Sequence, residues 1–174
     1  MFRKIFNSEL HRISVDEFKE STKNPFVVVL DNVRSQHNIG SVFRTADAFR
    51  AEKVILCGIC ATPPSAEIHK AALGAEFSVD YEYFKETIDA VSKLKDEGYI
   101  IVGIEQSDNS TMLQDFAIEK GKKYALIFGN EVYGVEQQVL DMCDECIEIP
   151  QYGTKHSLNV SVSAGIALWA FMNL

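Results

Sequence analysis

The stretch I-P-Q-Y-G-T-K-H-S-L-N-V-S-V-S-A-G-I (Ile149–Ile166) predicts a strand end, a polar loop and a helix in immediate succession. The strand is predicted to end at Ile149, and Ser157 is predicted to be the helix N-cap, because its hydroxyl can accept a free backbone N–H. The segment from Leu158 to Leu174 is apolar almost all round, which is typical of a fully buried helix. Its small residues favour a site where main-chain atoms contact a flat ligand. An ordinary C-terminal core helix is the structural alternative.

Buried strands and helices alternate along the rest of the chain. Apolar β-branched runs predict strands, and residues at helical spacing between them predict helices. This alternation predicts an α/β fold with a mostly parallel sheet and helices on both faces. The predicted strands are Phe26–Leu30, Lys53–Cys57, Phe77–Phe84, Tyr99–Ile104, Tyr124–Phe128 and Cys146–Ile149, and the predicted helices are Ile39–Arg50, Ser65–Leu73, Glu86–Glu97 and Val135–Met142, after a capping box at Ser14–Glu17.

Length and composition indicate one globular domain. The 174 residues are 47% hydrophobic and 24% charged. No apolar run approaches the ~18 residues that a membrane span needs, and the N-terminus does not resemble a signal peptide, so the expected location is the cytoplasm. The net charge of −8 argues against a general nucleic-acid coat. Basic residues still cluster between Arg34 and Lys53, where acidic residues are interleaved with them.

The four cysteines form two C-x-x-C pairs, Cys57/Cys60 and Cys143/Cys146. Two such pairs could make a four-thiolate zinc site, but their separation is well outside the ~15–20 residues of a zinc ribbon. Cys57 and Cys146 adjoin apolar strand residues and are predicted to be buried. We therefore expect no bound metal.

Polar loops are predicted at the carboxyl ends of three strands, where parallel sheets bind ligands. They span Asp31–Asn38, Gly129–Gly134 and Gln151–Ser157. Glycine-rich nucleotide motifs, a nucleophile elbow and metal-ligand spacings are absent from the sequence. The remaining candidates each have a structural alternative as a cap, a surface ion pair or a solvated turn residue. They are Asn38, Arg44, Glu131, Ser157 and Asn159.

Three ordered motifs give the chain a family resemblance. They are N-I-G-S-V-F-R-T-A (Asn38–Ala46), L-I-F-G-N-E-V-Y-G (Leu126–Gly134) and the I-P…S-L-N-V-S-V segment (Ile149–Val162). In order and spacing they resemble the SpoU/TrmH branch of the SPOUT RNA methyltransferases, and K-A-A-L-G-A (Lys70–Ala75) is also similar to this family. The resemblance runs from about Pro25 to the C-terminus.

The resemblance implies a single SPOUT α/β-knot domain over residues 1–174, with a short helical segment at 1–24 and a deep C-terminal trefoil knot. It also implies a homodimer that binds RNA and uses S-adenosylmethionine, leaving S-adenosylhomocysteine as product. Donor contacts are implied at Ile104, Gly129, Ile149 and Leu158. The catalytic arginine of the family corresponds to Arg44, and its supporting polar residues correspond to Asn38, Glu131, Ser157 and Asn159.

The predicted function is therefore methylation of a ribose 2′-hydroxyl in tRNA or rRNA. Arg44 is expected to hold a phosphate and the developing oxyanion, because a guanidinium is too basic to act as a free general base. Asn38 and Arg44 are about two helical turns apart, so both are expected to face the same strand-end cleft. A non-catalytic, knotted RNA-binding or assembly protein is the alternative. One departure stands out: family members often have glycine at the position of Arg50, so the end of that helix is expected to differ.

Overall fold

The computed structural model describes residues 1–172, in which strands and helices alternate as expected. Its strands all pair in parallel, in the order β3-β2-β1-β6-β4-β7-β5 once numbered along the chain. The strands are β1 (Phe26–Asp31), β2 (Lys53–Cys57), β3 (Asp80–Phe84), β4 (Tyr99–Ile104), β5 (Thr111–Met112), β6 (Lys123–Phe128) and β7 (Glu145–Glu148). The helices are α1 (Val15–Glu20), α2 (Gln36–Ala48), α3 (Ala66–Ala72), α4 (Ala75–Ser78), α5 (Thr87–Asp96), α6 (Gln137–Leu140) and α7 (Val160–Met172).

Both faces of the sheet are covered, which confirms the predicted fold class. Successive residues of β1 point to opposite faces, so Val28 and Leu30 join the core under α2, α3 and α7, whereas Val27 and Val29 join the core under α5 and α6. All six residues of β1 are buried. Each fully buried aliphatic side chain contributes about 1.5–3 kcal/mol of transfer free energy, which explains why the strand is apolar from Phe26 to Leu30.

Helix α2 begins earlier than its hydrophobic periodicity predicts. The N-cap is Ser35, whose hydroxyl accepts the N–H of Asn38 at 3.3 Å. Asn38 is therefore the third residue of the helix, and the interpretation of Asn38 as its cap is wrong. Residues 36–38 are polar and lie at the strand-end edge of the sheet. The apolar periodicity that predicted the helix therefore begins only at Ile39.

Two other predicted boundaries were also wrong. In both cases apolar residues were assigned to an element longer than the one that forms. The predicted strand Phe77–Phe84 begins instead with the last two residues of the one-turn helix α4, and strand β3 starts at Asp80. The predicted helix Val135–Met142 is a single turn, α6. The capping box at Ser14 and Glu17 is confirmed, with both reciprocal hydrogen bonds formed.

Arg50 adopts the backbone conformation that glycine favours. Helix α2 ends at Ala48, and Arg50 follows with a φ of 48°. Its N–H donates to the carbonyl of Asp47, and its own carbonyl accepts the N–H of Asn24. The chain thus turns here although Arg50 has a Cβ. The left-handed conformation costs such a residue roughly 1–2 kcal/mol. Glycine would adopt this turn without strain.

Replacing Arg50 by glycine is therefore expected to stabilise the protein. Relief of left-handed strain outweighs the added chain entropy of glycine, and we expect a gain of about 1 kcal/mol, which raises Tm by roughly 2–4 °C at this chain length. Differential scanning calorimetry measures the shift. The matched control is Arg34→Gly, which changes the same side chain at a residue without a positive φ. A melting temperature lowered by R50G would contradict the strain assignment.

The two cysteine pairs lie on different parts of the sheet. Cys57 ends β2 and Cys146 lies in β7, and these strands are separated by β1, β6 and β4. Four steps of about 4.8 Å place them roughly 19 Å apart, which is too far for one four-thiolate zinc site. Burial raises the pKa of the Cys57 thiol to about 12 and that of Cys60 to about 11. The absence of a bound metal remains a prediction.

Helix α7 is less buried than its sequence predicts. Val160, Ala164 and Leu168 are buried, but Val162 and Ile166 are 49% and 37% exposed. The prediction of a fully buried helix is wrong for a single chain. The helix also begins at Val160 rather than Leu158, and the predicted end at Leu174 lies outside the described residues. Within residues 1–172, every helix is too short or too polar to cross a membrane.

Candidate active site

A cleft of about 530 Å³ opens where the carboxyl ends of β4, β6 and β7 meet. Its floor is formed by Ile104, Phe128 and Ile149 at these strand ends, and its walls come from the loops that follow them. The first turn of α7 closes the remaining side through Val160 and Ser163. The loops predicted at 129–134 and 151–157 therefore both border one cleft. Its other lining residues are Glu105, Gln106, Gly129, Asn130, Glu131, Val132, Tyr133, Gly134, Gln151, His156, Ser157, Leu158 and Asn159.

The turn after β6 requires glycine at position 129. A Cβ on Gly129 would lie 2.0 Å from the carbonyl carbon of Gly134 and 2.1 Å from the backbone nitrogen of Val135. Asn130 holds the turn closed through paired backbone hydrogen bonds with Gly134, each of 2.9 Å. Its side-chain oxygen also accepts the N–H of Val132 at 2.9 Å. Backbone atoms of this tight turn therefore form part of the cleft wall.

All four residues that the resemblance implies for donor binding line this cleft. Ile104 ends β4, Gly129 and Ile149 directly follow β6 and β7, and Leu158 lies just before α7. Leu158 remains 37% exposed, so its part of the cleft is open. The structure thus brings together residues separated by more than 50 positions in the chain.

A chain of hydrogen bonds joins the three sequence motifs. Asn38 donates from Nδ2 to Oε1 of Glu131 at 3.0 Å, and its Oδ1 accepts Nδ2 of Asn159 at 3.1 Å. Oδ1 of Asn159 in turn accepts the N–H of Ser161 at 2.9 Å and its hydroxyl at 2.6 Å. Because each amide has defined partners on both sides, the side chains of Asn38 and Asn159 are held in one orientation.

Glu131 is held as a carboxylate at the start of α2. Its two oxygens accept the backbone N–H groups of Arg34 and Ser35 at 3.0 and 2.9 Å. Burial raises the pKa of Glu131, but hydrogen bonds from these N–H groups and from Asn38 outweigh it and leave the pKa below its ordinary value. A negative charge at a helix N-terminus is also favoured by the helix dipole. Glu131 is therefore ionised at neutral pH.

Asn159, not Ser157, caps α7. The Oδ1 of Asn159 accepts the N–H of Ser161 in the first turn, and its carbonyl accepts the N–H of Ser163. Ser157 lies two residues earlier, exposed on the cleft wall, and makes no hydrogen bond within residues 1–172. The predicted N-cap role of Ser157 is wrong because two residues that suit a cap stand close together and the later one starts the helix. Its hydroxyl remains available to a ligand.

Arg44 does not line the cleft of its own chain. It follows Asn38 by six residues, which places it about 9 Å further along α2 and about 120° around the axis. Asn38 does not line the cleft either, so the expectation that both residues face it is wrong within a single chain. The alternative surface pair with Asp47 is not formed either, since Asp47 accepts the hydroxyl of Ser78. Arg44 is exposed on the outer side of α2, without an ion pair in the described part of the chain.

Sequence reasoning missed two polar residues of the cleft, Glu105 and Gln106. Glu105 accepts the N–H of Val135 at 2.9 Å, and its Oε2 lies against Gly134, where a Cβ would approach it to 2.3 Å. Gln106 donates to the carbonyl of His156 at 2.7 Å and ties the C-terminal loop to β4. The available signal was their position directly after Ile104, at the end of a buried strand.

The cleft combines an apolar floor with anionic and backbone polar walls. Ile104, Ile149 and Leu158 offer surfaces for a flat apolar ring, whereas Glu105 and Glu131 place two carboxylates at the rim. Such a site suits a ligand that is flat and apolar at one part and positively charged at another. A volume near 530 Å³ is in the usual range for cofactor sites.

Comparisons with known proteins agree with this geometry. The model of the SpoU rRNA Methylase family matches residues 25–169, most of the chain. A TrmH family protein of Staphylococcus haemolyticus is 34% identical over 158 residues, which cover 88% of this chain and 62% of that protein. The 23S rRNA (guanosine-2′-O-)-methyltransferase RlmB of Neisseria meningitidis is 31% identical over 153 residues, covering 88% and 60%. The chain spans about three fifths of the length of these curated relatives.

Solved structures share the fold. An AdoMet-bound rRNA methyltransferase from Sinorhizobium meliloti superposes with a TM-score of 0.80 at 28% identity, covering 90% of this chain and 59% of that one. The A. aeolicus TrmH/SpoU tRNA modifying enzyme also gives a TM-score of 0.80, at 26% identity. That match covers 91% of this chain and 81% of the enzyme. The doubly covered parallel sheet is thus the fold of these enzymes.

Proposed function

Because the chain belongs to the SpoU rRNA methylase family, we propose that it transfers a methyl group from S-adenosylmethionine to a ribose 2′-hydroxyl of tRNA or rRNA. The single observation that carries this proposal is that the second and third motifs line one cleft and that Asn38 of the first motif is joined to both by the hydrogen-bond chain Glu131–Asn38–Asn159. Relatives named as 2′-O-methyltransferases support the reaction, and tRNA or rRNA as substrate suits a location in the cytoplasm.

The cleft fits the proposed methyl donor. The donor carries a flat adenine ring, a cationic sulfonium and an amino acid end with an ammonium and a carboxylate, so its net charge is positive. Ile104, Ile149 and Leu158 would contact the ring, and the carboxylates of Glu105 and Glu131 favour the cations. Backbone atoms of the Gly129 turn line the same cleft and would contact the donor. When bound, the donor supplies an electrophilic methyl group, and S-adenosylhomocysteine is the product.

The polar residues would act on the acceptor ribose. Asn38 and Asn159 are already oriented by their mutual hydrogen bond and by Glu131, so they lose little freedom when the substrate binds. Ser157 contributes an uncommitted hydroxyl at the same wall. We propose that these groups position the 2′-hydroxyl, and that Arg44 stabilises the oxyanion that develops on it.

We further propose a homodimer formed across α7. Val162, Ile166 and Trp169 are exposed at helical spacing, so they form an apolar stripe along the helix. This stripe begins one turn beyond Leu158, at the cleft, and α7 packs against α2, which carries Arg44. A two-fold dimer across the stripe would place α2 of one protomer beside the cleft of the other. Arg44 would then complete the partner's site, which accounts for its absence from its own.

The dimer is expected to dissociate when the stripe is made acidic. Ile166→Glu would bury a carboxylate in an apolar interface without a partner, and unpaired charges are not tolerated there. Light scattering should give the mass of two chains of 19.5 kDa for the wild type and of one chain for I166E. Ile59→Glu, a change of the same kind at an exposed isoleucine beyond β2, should remain dimeric. A monomeric wild type at micromolar concentration would contradict the proposal.

The strand order supports the proposed trefoil knot. β6 lies between β1 and β4, whereas β7 lies on the other side of β4, so the chain between them crosses β4. After β7 the chain returns, and α7 packs against α2 and β6. Gln106 binds the returning loop through the carbonyl of His156. A knot formed by this crossing and return would enclose the walls of the cleft.

Methyl transfer itself tests the proposed function. The purified protein is incubated with labelled S-adenosylmethionine and with RNA from a strain that lacks its gene, and nucleosides are analysed by mass spectrometry. We expect one 2′-O-methylated nucleoside that is absent without the protein. Donor binding and RNA binding without any transfer would support the alternative of a non-catalytic RNA-binding protein. Label on a base instead of a ribose would contradict the proposed acceptor.

A further inference from the structure

The turn after β6 presents two exposed side chains at the mouth of the candidate active site. Val132 and Tyr133 both line the cleft, yet they are 79% and 86% exposed. The turn that carries them is well held, because Oδ1 of Asn130 accepts both of their backbone N–H groups, at 2.9 and 3.2 Å. Paired backbone hydrogen bonds between Asn130 and Gly134 close its base. The backbone of Tyr133 is therefore fixed, and its ring is open to solvent beside the cleft.

The place of Tyr133 in the turn brings it close to the proposed acceptor ribose. Tyr133 follows Glu131 by two residues, so the Cα atoms of the two residues are at most about 7 Å apart. Glu131 accepts a hydrogen bond from Asn38, which is proposed to position the 2′-hydroxyl. The base of a nucleotide is bonded to the same ribose that carries this hydroxyl. When that ribose reaches the polar residues, its own base is therefore the base that comes nearest to Tyr133.

The charge of the chain makes a contact with a base important for RNA binding. Much of the affinity of proteins for nucleic acids comes from Lys and Arg side chains that neutralise phosphates. Here the net charge is −8, and the carboxylates of Glu105 and Glu131 line the cleft itself. These charges repel the phosphates beside the reacting nucleotide. Stacking on an aromatic ring adds affinity without neutralising a phosphate, and every base has a face that can stack.

We propose that the ring of Tyr133 stacks on the base of the nucleotide whose ribose is methylated. This inference rests on the proposed function and adds to it a residue that binds the acceptor base. A base stacked on Tyr133 cannot also stack within a duplex, so the acceptor nucleotide lies in a single-stranded part of the RNA. Stacking contacts the face of a base and not its hydrogen-bonding edge, so Tyr133 accepts purines and pyrimidines alike.

Binding of single-stranded probes tests the stacking without methyl transfer. Fluorescence anisotropy measures the affinity for an oligouridylate of about 12 nucleotides and for an abasic ribose-phosphate oligomer of the same length. S-adenosylhomocysteine is present at saturation, so that no base of the probe occupies the donor cleft. We expect the wild type to prefer the oligouridylate about tenfold and Tyr133→Ala to bind both oligomers alike, since one stacked base has an effect of this size. The salt dependence of binding should be the same for both proteins, because Y133A removes no phosphate contact.

Tyr133→Trp and Tyr152→Ala are the matched controls. Tryptophan keeps an aromatic face, so Y133W should retain the preference for the oligouridylate. Tyr152 is 94% exposed but does not line the cleft, so Y152A removes an equally exposed ring from another place and should bind both oligomers like the wild type. A wild type without the preference, or Y133A with the wild-type preference, would overturn the proposal. A monomeric Y133A in light scattering would also overturn it, because the ring would then contact a second copy of the chain.

Methyl transfer separates this proposal from the proposed function. In single-turnover transfer to RNA from a strain that lacks the gene, Y133A should need about tenfold more RNA than the wild type to reach its half-maximal rate. Equal RNA requirements in the two proteins would overturn the stacking and leave the proposed function intact. A wild type that prefers the oligouridylate but transfers no methyl group would support base stacking and contradict the proposed function.

Discussion

Arg44→Ala is expected to lower the rate of methyl transfer by a factor of about 100 to 1000 or more while S-adenosylmethionine binding stays near the wild-type level. Loss of one oxyanion donor usually has an effect of this size, and Arg44 does not line the cleft of its own chain. Single-turnover methylation of a confirmed RNA substrate measures the rate, and calorimetry measures donor affinity. Wild-type turnover in the folded variant would exclude a catalytic role for Arg44.

Arg44→Lys provides the matched control for charge. Lysine keeps the positive charge but lacks the planar fork that could hold a phosphate and the acceptor oxygen together, so little activity should return. A surface role for Arg44 predicts a different result, with a stability loss of at most ~1 kcal/mol and normal turnover. Full activity in R44K would show that charge alone is sufficient.

Mixing two inactive variants decides which cleft Arg44 serves. In a heterodimer of Arg44→Ala and Leu158→Arg chains, the R44A chain keeps an intact donor cleft and the L158R chain keeps its arginine. If Arg44 acts across the two-fold axis, one site of each heterodimer is complete, and random mixing should restore about a quarter of wild-type activity. If Arg44 acts on its own chain, the mixture stays inactive.

Leu158→Arg is expected to weaken S-adenosylmethionine binding at least about 100-fold. Leu158 lines the same cleft as Gly129, and an arginine there would place a cation and a long side chain where a cationic donor is proposed to bind. Two like charges a few Å apart in a partly desolvated cleft repel by several kcal/mol. Isothermal calorimetry measures the change.

Tyr152→Arg is the control for Leu158→Arg. Tyr152 lies on the same loop, is 94% exposed and does not line the cleft, so the added charge should leave donor affinity within about threefold of wild type. Circular dichroism confirms that both variants are folded. Unchanged affinity in L158R would mean that the donor binds elsewhere than proposed.

The sheet and the positions of the three loops were predictable because local signals agreed with the fold. β1 is a continuous run of β-branched and apolar residues buried on both faces, and its neighbours carry the same pattern. Polar residues directly after such strands had to lie at one edge of a parallel sheet. The loops at 129–134 and 151–157 follow from that rule, whereas the donor residues Ile104, Gly129, Ile149 and Leu158 followed from the family resemblance.

The position of Arg44 and the exposure of α7 were not predictable in the same way. An apolar helix sequence predicts burial, but it does not tell whether the same chain or a second copy buries the helix. The exposure of Val162 and Ile166 in a single chain could therefore not be predicted. The placement of Arg44 took the six residues from Asn38 as two full turns, whereas six residues rotate by about 600° and leave the two side chains about 120° apart. Glu105 was missed because its function, holding the turn at Gly134 and Val135, depends on contacts distant in sequence.

The structure of the protein with S-adenosylhomocysteine tests the central claim most directly. We expect one ligand per chain in the cleft, with its adenine between Ile104 and Leu158 and its backbone contacts at the Gly129 turn. The hydrogen bonds from Asn38 to Glu131 and from Asn159 to Asn38 should persist. Ligand bound at any other site, or a cleft that stays empty at saturating concentration, would contradict the account.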